Sequence, residues 1–468
     1  MSQTDKTDLS RRRVIASLAG ALPMAGCGAV GRWLSEPPAW FHAGAPRPPV
    51  VFVHGAFGAR LRRHQDGREV WPVGTAELLL DDYDQLARPL DPETGAAQDD
   101  GIEAAGLFDA IGTVDFYGPL VGMLQGAGGY RLTRPGQPPA GAAPPLYLFL
   151  YDWRRDLARA AQDLARFIEQ VVESSGRPGQ RVDLVVHSSG GTVARHYLLH
   201  GARSLESAVA LGPDFSGAAR VERLVAIGVP ELGMARSFQA LVEGEPLGLG
   251  TVAPETLMTA ESPYQLLPHG DDAWLLDERG QPLAADSCDP DLWRDFGLGI
   301  FNDAIRARVR AQAQGRTAGH ERVLMLERAF LGRLDRARQF RSAIRSAPLP
   351  AELAYYTIGG ECRPPLARLM LERVAGQWHA RATPDSVRWR QAGLDYEQLL
   401  LEPGDGTVTR ASAAGRPDWP QSAGAEALGS GPRESTFVCA SHNQLVGDLD
   451  CQRALLRALD RLPQAQAD

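Results

Sequence analysis

The sequence predicts an α/β fold: a mostly parallel central sheet flanked by helices and interrupted by a mainly helical insertion. Three observations predict it. Short apolar runs at 50–53, 146–150, 182–186 and 224–229 have the length of buried strands and lack the alternation of a sheet with one wet face. Between them lie stretches with helical spacing, as at Leu157, Leu164, Ile168, Val171 and Val172, and strand–helix alternation is the rhythm of parallel βαβ units. From Gly233 to about Pro350 that rhythm gives way to helical stretches rich in arginine.

Composition narrows the function classes. A chain of 468 residues with 44% hydrophobic and 23% charged residues is an ordinary globular protein. Its net charge of −8 argues against a nucleic-acid partner. Lys6 is the only lysine, so nearly all positive charge is arginine. No internal repeat is present.

The first 27 residues read as an export signal. Ser10-Arg11-Arg12-Arg13 leads a short apolar run, 14–24, followed by Ala25-Gly26-Cys27. The run is well short of the ~20 residues of a membrane span. The adjacent arginines resemble a twin-arginine signal. Met24-Ala25-Gly26-Cys27 resembles a bacterial lipobox, which makes Cys27 the expected lipidation site. The chain is therefore expected on the periplasmic side or cell surface, as a membrane-anchored lipoprotein. Cys288, Cys362, Cys439 and Cys451 remain, enough for two disulfides in any of three pairings. No C-x-x-C spacing occurs, and neither a metal nor a cofactor is expected.

Taken in order, a Pro-rich linker fills 28–48. A first core part, 49–232, opens with the strand 50–53 and the turn His54-Gly55-Ala56-Phe57-Gly58. Residues 61–112 alternate poorly, carry an acidic excess, and read as an excursion above the strand ends. That acidic cluster lacks the regular ligand spacing of a calcium loop and reads as solvated. A helix is expected at 117–124, and a strand at 146–150 ends in Tyr151-Asp152-Trp153-Arg154. After the strand 182–186 come His187-Ser188-Ser189-Gly190-Gly191 and a helix, 192–200. A cap is expected at 233–350 and a second core part at 351–462. In that part 353–358 is a strand, 399–401 closes a hairpin, 436–438 is a strand and 445–459 a helix. Residues 463–468 form a tail.

A serine at a sharp strand-to-helix turn is the nucleophile elbow of α/β-hydrolases, and this is the fold the chain is expected to take. Ser188 leaves Val186 and Gly190 at the flanking positions, so half of G-x-S-x-G is kept. Ser189, the rival, would put the bulky His187 two residues before it. A plain Gly/Ser turn is the bland alternative. Serine needs a base to take its proton, and His442 follows the strand 436–438. An acid must orient that base, and Asp405 stands in the turn Gly404-Asp405-Gly406. The order Ser188, Asp405, His442 is that of α/β-hydrolases. Glu361 and Glu231, each just after a strand, are rival acids.

These stretches, together with Ile227-Gly228-Val229-Pro230, the run 262–268, the D-G-T-V of 405–408 and His442-Asn443, look like the lecithin:cholesterol acyltransferase family. That family includes phospholipid:diacylglycerol acyltransferases and lysosomal phospholipase A2. The resemblance runs from about Pro48 to Ala458. It implies Ser188 as nucleophile, Asp405 as acid, His442 as base, and the backbone N–H groups of Ala56 and Ser189 as oxyanion donors. His54 stands where the eukaryotic turn usually has proline, and no cysteine pair closes a lid loop after Gly58. The activity implied is a serine-dependent lipid acyl-ester hydrolase or O-acyltransferase acting on phospholipid or glyceride at a membrane surface, with an alcohol as possible acceptor. A small-ester or amide hydrolase, or an inactive surface-anchored binding module, are the alternatives.

Overall fold

The computed structural model describes residues 33–460, except 43, 45, 73–82, 109, 112–113, 138–140, 178, 248–249, 270–272, 314 and 416–430. The expected export signal, Cys27 and the tail lie outside the described residues. Seven strands form the central sheet: β1 (Val50–Val53), β2 (Arg131–Leu132), β3 (Pro145–Phe149), β4 (Val182–His187), β5 (Val221–Ile227), β6 (Ala354–Gly360) and β7 (Glu434–Val438). Their order is β7-β6-β5-β4-β1-β3-β2. Every neighbouring pair is parallel.

The apolar runs split by parity into two cores, because successive strand side chains point to opposite faces. Val51, Val53, Leu184, Val186, Leu224 and Ala226 pack with residues of α2 (Leu157–Ser174) and α3 (Ser189–His200). Val50, Phe52, Val185, Val225 and Ile227 pack instead with α1 (Gly118–Gln125) and α5 (Leu449–Asp460). With both faces covered, the strands need unbroken apolar sequence. That is why they read as runs rather than as alternation.

Inside this sheet, Asp183 and Arg223 face each other on neighbouring strands, Nε to Oδ1 at 2.9 Å, and Arg223 also donates to the Leu459 carbonyl. Burial drives the Asp183 carboxyl up to about 7 against the pull of Arg223. The pair ties β4, β5 and α5 together.

One expectation needs correction, and two readings gain detail. Residues 61–112 include a three-stranded antiparallel sheet, Glu69–Trp71, Ala59–Arg63 and Ile102–Leu107 in that order. Register shifts at Arg60/Leu61 and Leu61/Arg62 interrupt its pairing, and a bulge destroys the period-2 signal by which a strand is read. Residues 399–401 close no hairpin. Tyr396–Leu400 is a helix whose N-cap, Asp395, accepts from the N–H groups of Glu397 and Gln398. The hairpin after β6 is Leu369–Val374 with Gln377–Arg381. Of the four cysteines, Cys362 and Cys439 are joined, while Cys288 and Cys451 are buried thiols.

Residues 233–350 are mainly helical, ending in α4 (Arg316–Ile344), but also hold the hairpin Glu245–Leu247/Gly250–Val252 and the short strand Leu275–Leu276. Several of their arginines bond to the protein itself. Arg306 bonds Glu327, Arg308 grips Glu255 with two nitrogens, and Arg336 bridges Asp156 and Glu206. Arg333 donates to the carbonyls of Gly95 and Thr259, and Arg338 to that of Cys288. The basic content of the segment therefore serves to fasten it to the core. Among the described residues, no helix is long and apolar enough to cross a membrane.

One packing contact tests the sheet–helix fit. A Cβ on Gly191 of α3 would lie 2.3 and 2.5 Å from the two methyl groups of Val229. In an open helix Gly→Ala gains about 1 kcal/mol. Here Gly191→Ala should lose roughly 1–3 kcal/mol by overpacking, read from urea unfolding midpoints. Adding Val229→Ala should recover most of the loss. Stabilisation by the single change would refute the contact.

Candidate active site

Because every strand is parallel, the loops after β1, β4, β5, β6 and β7 leave from one edge of the sheet, the usual place for a site in such folds. Ser188 sits at the tip of β4 with φ 53° and ψ −132°, a conformation costing a non-glycine residue of order 1–3 kcal/mol. Its surroundings impose it. The Ser188 N–H bonds the Ile227 carbonyl at 2.9 Å, its carbonyl accepts from Gly191 N–H at 2.9 Å, and α3 begins at the next residue. On the other side lies Gly55 of the turn after β1, where a Cβ would stand 2.6 Å from the Ser188 Cβ. Only glycine allows that approach. Val186, the bulky flanking residue, is accommodated because its side chain lies in the α2–α3 core.

His442 follows β7 and Asp405 stands in the loop between β6 and β7. His442 Nε2 is 2.9 Å from Ser188 Oγ, and its Nδ1 is 2.7 Å from Asp405 Oδ2. The backbone reinforces this, since His442 N–H bonds the Asp405 carbonyl at 2.8 Å. Asp405 Oδ1 accepts from Thr407 N–H at 2.9 Å and Val408 N–H at 2.7 Å. The D-G-T-V stretch is thus an Asx-type turn that also aims a carboxylate. Burial opposes the Asp405 charge, but His442 and the two backbone donors outweigh it, so its carboxyl is held below the usual range.

The rivals are engaged elsewhere. Ser189 Oγ is 3.2 Å from the Tyr151 hydroxyl. Glu361 is exposed and faces Arg410 at 3.4 Å. Glu231 accepts from Tyr355 O–H at 3.0 Å and lies 3.5 Å from Arg195. Among the described residues, the backbone N–H groups of Ala56 and Ser189 have no hydrogen-bond partner.

Several groups here had no role assigned from the sequence. Tyr117, at the start of α1, accepts from Gly55 N–H at 3.0 Å and lies 2.8 Å from His187 Nδ1. The His187 ring stands 4.8 Å from that of His442. His54, in the turn, lies 2.8 Å from the Gly55 carbonyl through Nδ1 and accepts from Tyr151 N–H through Nε2. Burial lowers its pKa to about 4, so Nδ1 carries the proton and donates. Asp152 and Arg154 form a buried bidentate pair that also takes in Asp100. That arrangement fastens the β3 end to the excursion.

Ser188 and His442 open onto a cavity of about 750 Å³, a ligand-sized space. Its walls are largely apolar, with Phe57, Trp71, Phe108, Trp153, Leu257 and Leu266 prominent. Arg236 and Glu245, paired at 2.5 Å, bring charge to the same wall.

The Asp405 environment sets a pH test. Its folded pKa is depressed, so the ionised carboxylate stabilises the fold above about pH 4, and that contribution fades as pH falls from there toward the folded value. Asp405→Asn should therefore be less stable than the parent at pH 6, and the gap should narrow at pH 3 in urea titrations. A gap that is constant or wider at pH 3 would contradict the arrangement.

Comparison with known proteins fits this geometry. Residues 146–278 match the sequence model of the family described as lecithin:cholesterol acyltransferase. No curated protein matches the chain. Among solved structures, the Tle4–Tli4 complex is 16% identical over 90% of this chain and 99% of the other, with a TM-score of 0.55. EstA from Clostridium botulinum is 14% identical over 93% of each chain, with a TM-score of 0.38. At 16% identity, the likeness to the Tle4–Tli4 complex shows the fold alone. The chain thus has an α/β-hydrolase fold that carries, over residues 146–278, the sequence pattern of the lecithin:cholesterol acyltransferase family.

Proposed function

We propose that this chain is a serine-dependent lipid acyl-ester hydrolase or O-acyltransferase, with Ser188 as nucleophile, His442 as base and Asp405 as orienting acid. The observation that carries the reading is the Asp405–His442–Ser188 hydrogen-bonded line opening onto a large apolar cavity.

The chemistry follows from the geometry. As Ser188 Oγ attacks the ester carbonyl, its proton passes to His442 Nε2. The carbonyl electron pair moves onto oxygen, where the Ala56 and Ser189 N–H groups are free to donate. Asp405 stays ionised, fixes the His442 tautomer and stabilises the imidazolium. Collapse expels the alcohol part, which takes the proton from Nε2, and leaves the acyl group on Ser188. Water or a second alcohol then attacks, giving its proton to Nε2, and Ser188 recovers the proton as the acyl group leaves. The apolar wall holds an acyl chain and keeps bulk water from the developing charges.

The finer parts belong to the same proposal. Phospholipid and glyceride are the substrate classes, and an alcohol acceptor competes with water. Export through residues 1–27 and lipidation at Cys27 rest on the residue pattern alone. A membrane surface as partner follows from a lipid substrate and an anchored chain; the arginines of 306–338 lend it little, since most are bonded to the protein itself.

The decisive experiment is mass spectrometry of products from phospholipid and from diacylglycerol, with and without an added alcohol. Free fatty acid, or a new ester when alcohol is present, is expected; no product from any lipid would overturn the reading. A fluorophosphonate adduct should map to Ser188 and not to Ser189. Asp405→Asn should lower turnover by ~10⁴, whereas Glu361→Gln should leave it within a few-fold; the reverse order would transfer the acid role. Cys27→Ala should yield exported chain without an acyl anchor, and failure of labelled palmitate to enter the parent chain would remove the anchor alone.

A further inference from the structure

The turn His54-Gly55-Ala56-Phe57-Gly58 is held more tightly than a surface turn needs. The Gly55 carbonyl accepts from Gly58 N–H at 3.1 Å and from His54 Nδ1–H at 2.8 Å. In a trans peptide the carbonyl and the following N–H point in opposite directions. Fixing the Gly55 carbonyl therefore fixes the Ala56 N–H, which is left facing away from both donors. Phe57, next in the chain, has φ 58°, a strained conformation that persists only where its surroundings impose it.

The other end of Gly55 is held by one group. Its N–H donates to the buried Tyr117 hydroxyl at 3.0 Å, and the same oxygen lies 2.8 Å from His187 Nδ1. An oxygen already accepting from Gly55 has its own proton to give, and His187 Nδ1 is the acceptor in reach. Burial, reinforced by the neighbouring His442, lowers the His187 pKa to about 3, so the ring is neutral and can accept at Nδ1 in the tautomer that carries its proton on Nε2. His187 immediately precedes Ser188 in the chain.

We propose that Tyr117 is a positioning residue for the oxyanion site: its hydroxyl, bonded to Gly55 N–H and to His187 Nδ1, holds the Ala56 N–H at a fixed distance from Ser188 Oγ. Turn and elbow come from strands with no covalent link near the site. They are also linked through Tyr151, whose O–H donates to the His54 carbonyl at 3.1 Å and lies 3.2 Å from Ser189 Oγ, but the Tyr117 hydroxyl is the group that holds the Gly55 N–H. The hydroxyl sets their separation by two hydrogen bonds, each specific in length and direction. The inference rests on the reading of Ser188 as nucleophile and adds a residue to it.

Removing one oxyanion donor costs roughly 10²–10³ in turnover; displacing one should cost less. Tyr117→Phe keeps the ring and deletes the bridge, and His187→Leu removes the acceptor. Each should lower kcat on 4-nitrophenyl butyrate by roughly 10- to 100-fold with KM within about two-fold, and the double variant should be no worse than the poorer single. His187→Asn places an amide oxygen where Nδ1 stood and should recover most of the loss. Binding of a phenylboronic acid, whose adduct carries the tetrahedral oxyanion, should weaken in step with kcat. The fluorophosphonate labelling rate of Ser188 reads the same ratios when no substrate is known. A parent chain that labels but turns over no lipid would therefore defeat the functional proposal and leave this one standing. Should Tyr117→Phe not fold, the His187→Leu and His187→Asn pair decides. Turnover and labelling within three-fold of the parent in the bridge variants, additive losses with raised KM, or His187→Asn as poor as His187→Leu would each overturn it.

Discussion

Parallel pairing is the constraint on which the site depends. Val53 stands opposite both Phe149 and Val186, and Ile227 opposite both His187 and Ile358. With all seven strands running one way, the turn at His54, the elbow at Ser188 and the loops carrying Asp405 and His442 leave from one edge. The apolar runs that enforce this pairing are far from the chemistry in character, being mostly aliphatic and aromatic. They nonetheless decide where each polar group arrives. A strand displaced by one residue would exchange the two cores and turn its side chains to the opposite face.

The polar groups at that edge form two hydrogen-bonded systems that meet at Ser188. One runs through Asp405 and His442, the groups proposed to handle a proton. The other runs through His54, Gly55, Tyr117 and His187 and handles backbone position. Burial separates their chemistry, since it keeps His54 and His187 neutral beside the residue proposed to become charged. A second cation next to His442 would oppose the imidazolium on which acyl transfer relies. Keeping two of the three nearby histidines uncharged is thus as much part of the electrostatics as the carboxylate of Asp405.

Much of this was legible in the sequence. Buried parallel strands announce themselves as apolar runs, and Ser188, Asp405 and His442 each lie beside one, in a chain order with a chemical meaning. The three-stranded sheet after Gly58 was hidden because its bulges erase alternation. Leu399 to Leu401 looked like a strand because three leucines fit either element, and the capping by Asp395 decided for a helix. The pairing of the arginines of 306–338 could not be read, because partners such as Glu255, Asp156 and Glu206 lie 53 to 180 residues away in sequence. Tyr117 left no trace for the same reason. A hydroxyl that meets Gly55 across 62 residues and His187 across 70 has no spacing by which it can be read.

The disulfide between Cys362 and Cys439 has a topological consequence. Cys362 lies two residues past β6 and Cys439 one residue past β7, at a sequence separation of 77. Asp405 lies inside the closed ring and His442 three residues beyond its knot. Should the loop around Asp405 open locally, the ring still tethers the acid near the base at a high effective concentration. Closing a ring of this length also withdraws roughly 4 kcal/mol of chain entropy from the unfolded state. Ser188 lies outside the ring, on a strand held by its ladders to β1 and β5, by packing and by the Asp183–Arg223 pair. The proposed acid and base are therefore covalently corralled, while Ser188 stays in place only as long as the sheet does.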